Sequence, residues 1–140
     1  MGTVTATTPD AISYTAQGTY TVHWTYSDGH GNTSTQNQTV IVKDVTAPVA
    51  DVANLTDATG ECSVTVSTAP TATDNCVGSV TGTTTDPLTY NTQGTFTIHW
   101  DYDDGHGNIS HQNQTVIVKD VTAPVANIAT LSTVTGECSA

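Results

Sequence analysis

The oxygen-bearing side chains that could do chemistry in this sequence stand in turn-like stretches. Asp44 follows a Val-Ile-Val run, and Asp74-Asn75 ends Pro70-Thr71-Ala72-Thr73. Asp103, Asp104 and Asn108 frame a tip with two glycines, Asp104-Gly105-His106-Gly107-Asn108. Carboxylates mixed with Asn oxygens and accessible backbone carbonyls suit a hard cation, and calcium takes about six to eight such ligands. Calcium is therefore the candidate ion, provided the fold gathers Asp44, Asp74, Asn75, Asp103, Asp104 and Asn108 at one pole. No EF-hand spacing is present, so the reading depends on that convergence. Asp, Asn and Gly are also what ordinary turns use, and the turn-only reading stands beside it.

Cys62 and Cys76 enclose 76 − 62 − 1 = 13 residues. In a Thr-rich, acidic chain of exported character, a disulfide is the leading reading. A loop of that size is worth ~3 kcal/mol in the chain-entropy account. Cys138 repeats Cys62, and its own partner would fall beyond residue 140. A catalytic thiol needs a neighbouring base, and no His pattern accompanies these cysteines. His30 and His106 sit singly at the tips, without a second His at ligand spacing, and read as exposed loop residues. Lys43 and Lys119 end strand-like runs; an isopeptide weld to Asn is the sharp alternative to plain exposure. Five Asn-x-Ser/Thr sequons, from Asn32 to Asn113, arise easily in so Thr-rich a chain. There is no recognisable Ser/His/Asp arrangement, no paired buried carboxylates and no phosphate loop, so the chain reads as non-enzymatic.

The elements that must position these groups come from one stretch present twice. Tyr20 to Pro48 reappears as Phe96 to Pro124, and every residue from Gln36 to Ala50 recurs at Gln112 to Ala126. The offset is constant: 100 − 24 = 76 for the tryptophans and 138 − 62 = 76 for the cysteines. Phe96, Ile98, Trp100 and Tyr102 alternate with Thr97, His99, Asp101 and Asp103, a period of two that belongs to a strand with one buried face. The Gly-rich tip turns that strand into a hairpin. Asp-Val-Thr-Ala-Pro then breaks the ladder and marks a linker. Strands are expected at Val49 to Leu55, Cys62 to Ser67 and Val77 to Thr84, with a short edge strand at Leu88 to Tyr90 and a loop over 69–75. Many short strands between turn signals indicate an all-β sandwich.

Near-identical tandem copies mean an array with a 76-residue period. On the linker phase, residues 1-46 are the back part of a preceding repeat, 47-121 one complete repeat, and 122-140 the front of the next. The other phase makes Thr3 to Cys62 and Ser79 to Cys138 whole domains. The opening Met1-Gly2 looks like an expression start on a segment of a longer protein.

With 2 Lys+Arg against 13 Asp+Glu and a net charge of -11, the chain lacks the basic footprint that nucleic acid or an anionic membrane requires. No apolar run approaches a membrane span. The acidity suits divalent cations or extracellular solubility.

The pieces Glu61-Cys62-Ser63, Pro70-Thr71-Ala72-Thr73-Asp74-Asn75-Cys76, Gln93-Gly94-Thr95-Phe96-Thr97-Ile98, Asp104-Gly105-His106-Gly107-Asn108 and Val116-Ile117-Val118-Lys119-Asp120 resemble the hyalin repeat (HYR) family and its relatives in Bacteroidetes-type surface proteins. The resemblance implies an immunoglobulin-like antiparallel β-sandwich in tandem repeats, on the cell surface or outside the cell. It implies a stalk or adhesion role. In such a sandwich the incoming linker, the loop after the second strand and the last hairpin tip share a pole, which is the convergence calcium needs. Many members carry a further cysteine in the last strand; here Ile109 to Val118 has none.

The leading expectation is a spacer that extends a surface adhesin and is held by calcium at its joints. Its partners are neighbouring repeats and, through head-to-tail self-association, other copies of the chain. A ligand-binding module is the alternative, with the outward row Thr95, Thr97, His99 and Asp101 as platform for a glycan, a surface or ice. No aromatic lies on that row, which weakens sugar stacking.

Overall fold

The computed structural model describes residues 3–138; the Met1-Gly2 start lies outside the described residues. No helix occurs among them, and no barrel closes. Ten strands form instead, in an arrangement consistent with a β-sandwich.

The alternating stretch forms the longest elements. β1 (Gly18–Ser27) and β2 (Thr33–Val42) make one antiparallel hairpin, and β9 (Gly94–Asp103) and β10 (Ile109–Val118) make another. Their registers match: Trp24 faces Gln36 as Trp100 faces Gln112. The tips close because Gly105 and Gly107 take φ of 74° and 97°, which side-chain-bearing residues rarely adopt.

Between the hairpins lie six short strands: β3 (Val49–Ala50), β4 (Ala58–Gly60), β5 (Val64–Thr65), β6 (Thr71–Asp74), β7 (Gly78–Thr81) and β8 (Thr89–Tyr90). β3, β6 and β7 form one antiparallel sheet, and β5 pairs with β8. β4 joins the β9–β10 hairpin on the β10 side. It runs parallel to β10, with Ala58 opposite Val116 and Gly60 opposite Val118, a departure from the all-antiparallel expectation. The chain leaves β3 in one sheet, crosses over 51–57, and enters the other sheet running the same way as its last strand. The single strand expected over Val49 to Leu55 is thereby cut to two residues, and Ala58–Gly60, in the Thr56-Asp57-Ala58-Thr59-Gly60 stretch whose sequence reads as a turn, becomes β4.

The core fills from the inward alternation of β9. Ile98, Trp100, Val116 and Val118 pack with Val64 and Val66, and Leu55, Ala58, Tyr90 and Phe96 close around them. A second cluster joins Tyr102 to Ala72 and Val80. Tyr102 is buried although it carries a hydroxyl, because that group donates to Gln112 Oε1 at 2.6 Å. Gln112 Nε2 in turn donates to the Val52 carbonyl at 2.7 Å. The cognate face of the first hairpin is less covered. Trp24, Tyr26, Val40 and Val42 are only half-buried, and Val22 alone is fully buried there.

Candidate metal centre

Three carboxylates end up buried: Asp44, Asp74 and Asp104, with exposures of 2%, 4% and 5%. Two of them are inward positions that run past the apolar core. On β9 the inward series 98, 100, 102 continues one step beyond the strand to Asp104. On β6 the burial alternates outward-inward twice, so Ala72 and then Asp74 face in. Asp44 comes from the other side, on the linker two residues after β2, and Pro48 of the same linker is buried close by in sequence. Ser110 Oγ donates to the Pro48 carbonyl at 2.5 Å and fixes the linker against the start of β10.

The hydrogen bonds of these carboxylates are uneven. Asp104 is fully engaged: Oδ1 accepts from His106 N at 2.7 Å and Asn108 N at 3.1 Å, and Oδ2 from Asn108 Nδ2 at 2.6 Å. Burial pushes its pKa up, but these bonds outweigh burial and hold it below its ordinary value. Asp74 Oδ1 accepts from Cys76 N at 2.7 Å and Val77 N at 2.9 Å, the geometry of a tight turn. Asp44 Oδ1 accepts from Thr46 N at 3.1 Å. The remaining oxygens, Asp44 Oδ2 and Asp74 Oδ2, are buried and have no hydrogen-bond partner. Buried polar atoms are normally satisfied by protein, water or an ion, so these two oxygens mark where a donor or a cation would fit.

The two orphans belong to one cluster. Ligand atoms of Asp44, Asp74 and Cys76 all lie within 4.8 Å of one another. Partial desolvation pushes the Cys76 thiol pKa up, and the carboxylates of Asp44, Asp74 and Asp104 push it further. Hydrogen bonding between the Cys76 thiol and the Asp44 carboxylate adds to that rise, but a thiol is a weak donor and offsets little of what a buried carboxylate oxygen loses. No Lys or Arg enters an ion pair among the described residues, where all three such contacts are His–Asp. A cation held by oxygen donors fits this set: it would meet the Asp44 and Asp74 carboxylates and offset the crowded negative charge. The site is hard in its two aspartates and soft only in Cys76, whose thiolate the surrounding carboxylates disfavour.

Of the six expected ligands, then, Asp44 and Asp74 share one buried cluster with Cys76, and Asp104 lies at that pole outside the cluster, near enough for its charge to act on Cys76. Asn108 reaches it indirectly, as the residue that binds Asp104. Asn75 is exposed and its Nδ2 lies 3.5 Å from Cys76 Sγ. Asp103 is exposed on the outward face, where Oδ1 caps Gly105 N at 2.8 Å. Cys76, which the sequence suggests as half of a disulfide, is the cluster member absent from the expected ligands; its place directly after Asp74-Asn75 was the available signal.

The Cys62–Cys76 disulfide is a correction. Both thiols are free. Cys62 follows β4, whose Gly60 lies opposite Val118 at the end of β10. Cys76 follows β6, whose Ala72 packs on Tyr102 next to the other end of that strand, where Asp103 pairs with Ile109, and the charge of Asp104 reaches it there. Nine steps of roughly 3.3 Å along β10 separate those ends by about 30 Å. A disulfide needs Cα atoms within about 7 Å. The residues between the cysteines run the length of the fold, through β5 and β6, instead of looping back.

The outward row is partly spoken for. His99 Nδ1 lies 2.8 Å from Asp86 Oδ2, and His111 Nδ1 lies 2.7 Å from Asp101 Oδ1. His23 and Asp10 repeat the first pair at 2.8 Å. Trp100 is buried and so adds no aromatic surface to the face that carries Thr95 and Thr97. Lys43 and Lys119 are exposed. Comparison with known proteins finds no matching family model, no similar curated protein and no similar solved structure.

Proposed function

We propose that this chain is a non-enzymatic, extracellular tandem-repeat spacer of hyalin-repeat type, whose joints are stiffened by a divalent cation, calcium by preference. Its repeats are immunoglobulin-like sandwiches with the boundaries that the linkers suggest: 1-46, 47-121 and 122-140. One observation carries the cation: Asp44 from the linker and Asp74 from the following repeat each bury an oxygen without a hydrogen-bond partner, and carboxylate oxygens of the two residues lie within 4.8 Å of each other. A cation between them ties the incoming linker to the body it enters, which converts a hinge into a fixed angle. Repetition supports the spacer role, because copies that are identical over long runs supply length and not a unique site.

Oxygen donors and an irregular, turn-built cradle favour calcium over magnesium, which demands near-octahedral geometry and keeps its waters. The test is a calorimetric titration of chelator-treated protein with each ion. One calcium per chain, much weaker magnesium, and loss of both in Asp74→Asn are the expected results. No calcium heat and an unmoved melting midpoint would sink the proposal.

A further inference from the structure

The cysteines of residues 47–121 stand at opposite ends of one body, yet each stands beside the same kind of linker residue. At one end Cys76 Sγ lies within 4.8 Å of an Asp44 carboxylate oxygen, and Asp44 N donates to Gln17 Oε1 at 3.2 Å. At the other end the same pair recurs one period later: Asp120 N donates to Gln93 Oε1 at 2.8 Å. There Gln93 Nε2 also donates to the carbonyl of Glu61, the residue before Cys62, at 2.7 Å. Thr122 Oγ1 donates to the Glu61 carboxylate at 2.8 and 2.9 Å and pins the same turn to the outgoing linker. The Gln93–Asp120 pair therefore has the Cys62 turn on the side the chain is leaving, and the Gln17–Asp44 pair has Cys76 on the side it is entering.

We propose that, in an array continued at the 76-residue period, Cys62 forms a disulfide with the cysteine that repeats Cys76 in the following unit, so that a covalent bond crosses each joint. The inference rests on the tandem-array reading above. Cys76 pairs by the same rule with a Cys62-type residue of the unit before it, the position Cys138 holds for the unit after. None of these partners falls within the 140 residues, and all three thiols here are free.

In the bond-forming step two thiols give up two protons and two electrons. An external low-molecular-weight disulfide takes them up by exchange and leaves as two thiols. Once Cys76 is oxidised, the pole retains only oxygen donors, so bond and cation are compatible at the same joint.

The experiment uses the whole chain extended by residues that copy 65–121 after a Ser and Ala at 139–140, giving two complete repeats. It is equilibrated in a glutathione redox buffer, alkylated, digested and mapped by mass spectrometry. The expected map links Cys62 to the repeat of Cys76, with Cys76 and Cys138 alkylated. Cys62→Ser abolishes the link and Cys76→Ser leaves it intact. A Cys62–Cys76 link, or four alkylated cysteines in a protein whose two repeats both show near-ultraviolet circular dichroism of packed tryptophan, overturns the disulfide alone. Failure of the added repeat to fold overturns the array reading and takes the disulfide with it.

Discussion

Asp44→Asn sets two effects against each other, and their order of dominance reverses with calcium. Without calcium, Asp44 Oδ2 is a buried oxygen with no hydrogen-bond partner, and Asp74, whose carboxylate comes within 4.8 Å of that of Asp44, carries another. The variant keeps the Oδ1 acceptor that Thr46 N uses and puts an amide donor where the orphan stood. Relieving an unsatisfied buried polar atom returns about 1–3 kcal/mol. For a body of this size each kcal/mol moves the midpoint by roughly 4–8 °C, so in chelator the variant melts on the order of 5–20 °C above the parent. With calcium at a hundredfold excess over its Kd, the parent gains about 2.7 kcal/mol. The variant has lost a carboxylate ligand and gains little.

The melting curves must therefore cross. The variant is the more stable protein in chelator, and the advantage shrinks or inverts as calcium rises. Near-ultraviolet circular dichroism at the Trp100 band, read in chelator and across a calcium series, measures this directly. Asp74→Asn is the companion variant, since Asp74 Oδ1 keeps its bonds to Cys76 N and Val77 N while the orphaned Oδ2 is replaced. A parent that melts above both variants in chelator, with none responding to calcium, would refute the reasoning: the acidic pole would be a turn cluster and nothing more.

Gly60→Ala should destabilise by about 1–3 kcal/mol, the range of overpacking a tight site, because the new methyl group collides with the Ser63 carbonyl and meets Val64 Cγ2 at 3.0 Å; an unchanged denaturant midpoint would contradict the β4–β5 turn. Acid stability should fall below pH 3.8, because the pKa of Asp86 is lowered from that value by the backbone and side chain of His99, and that of Asp51 by the hydroxyls of Thr71 and Thr73. Carboxyls lowered on folding contribute stability that is present above the unfolded pKa and lost as pH falls through the folded one. Asp86→Asn and Asp51→Asn should each flatten that loss, measured as midpoint against pH from 5 to 2 or so. Head-to-tail association should appear in sedimentation equilibrium. The segment Val134–Gly136 repeats β4 and would lie parallel on Val40–Val42, as Ala58–Gly60 lies on Val116–Val118. Leu131→Asp removes the repeat of Leu55, which packs on the core, and should leave a monomer; a parent that is monomeric at every concentration counts against the contact.

The hairpins were legible because their signal is redundant. Four alternating aromatic or branched residues, a turn with two glycines and a Val-Ile-Val return all specify the same geometry. The strands between them were harder to read because their inward residues are small or charged. β6 presents Ala72 and Asp74 to the interior, so its period of two carries no hydrophobic contrast, and with Pro70 before it and Asn75 after it the stretch reads as loop. The same disguise hid the order of the two cysteines. A loop over 69–75 lets the chain double back and bring Cys76 to Cys62, whereas a strand there carries it to the far end.

The loop-like look of 69–75 also explains why the acidic pole was only half legible. Asp104 continues the buried series of β9 and Asp74 that of β6, so a strand over 71–74 puts both carboxylates inside by periodicity alone. Asp103 and Asn75 fall outside for the complementary reason, being one residue out of phase with a two-residue period. Asp44 was found by topology alone, since a linker has no periodicity to follow. What no single-repeat argument could supply is the orphaned pair of oxygens. It arises where the segment after β2 meets the end of β6, which on the proposed array is a joint between two copies, so the proposed cation would act at the joints and not within a repeat.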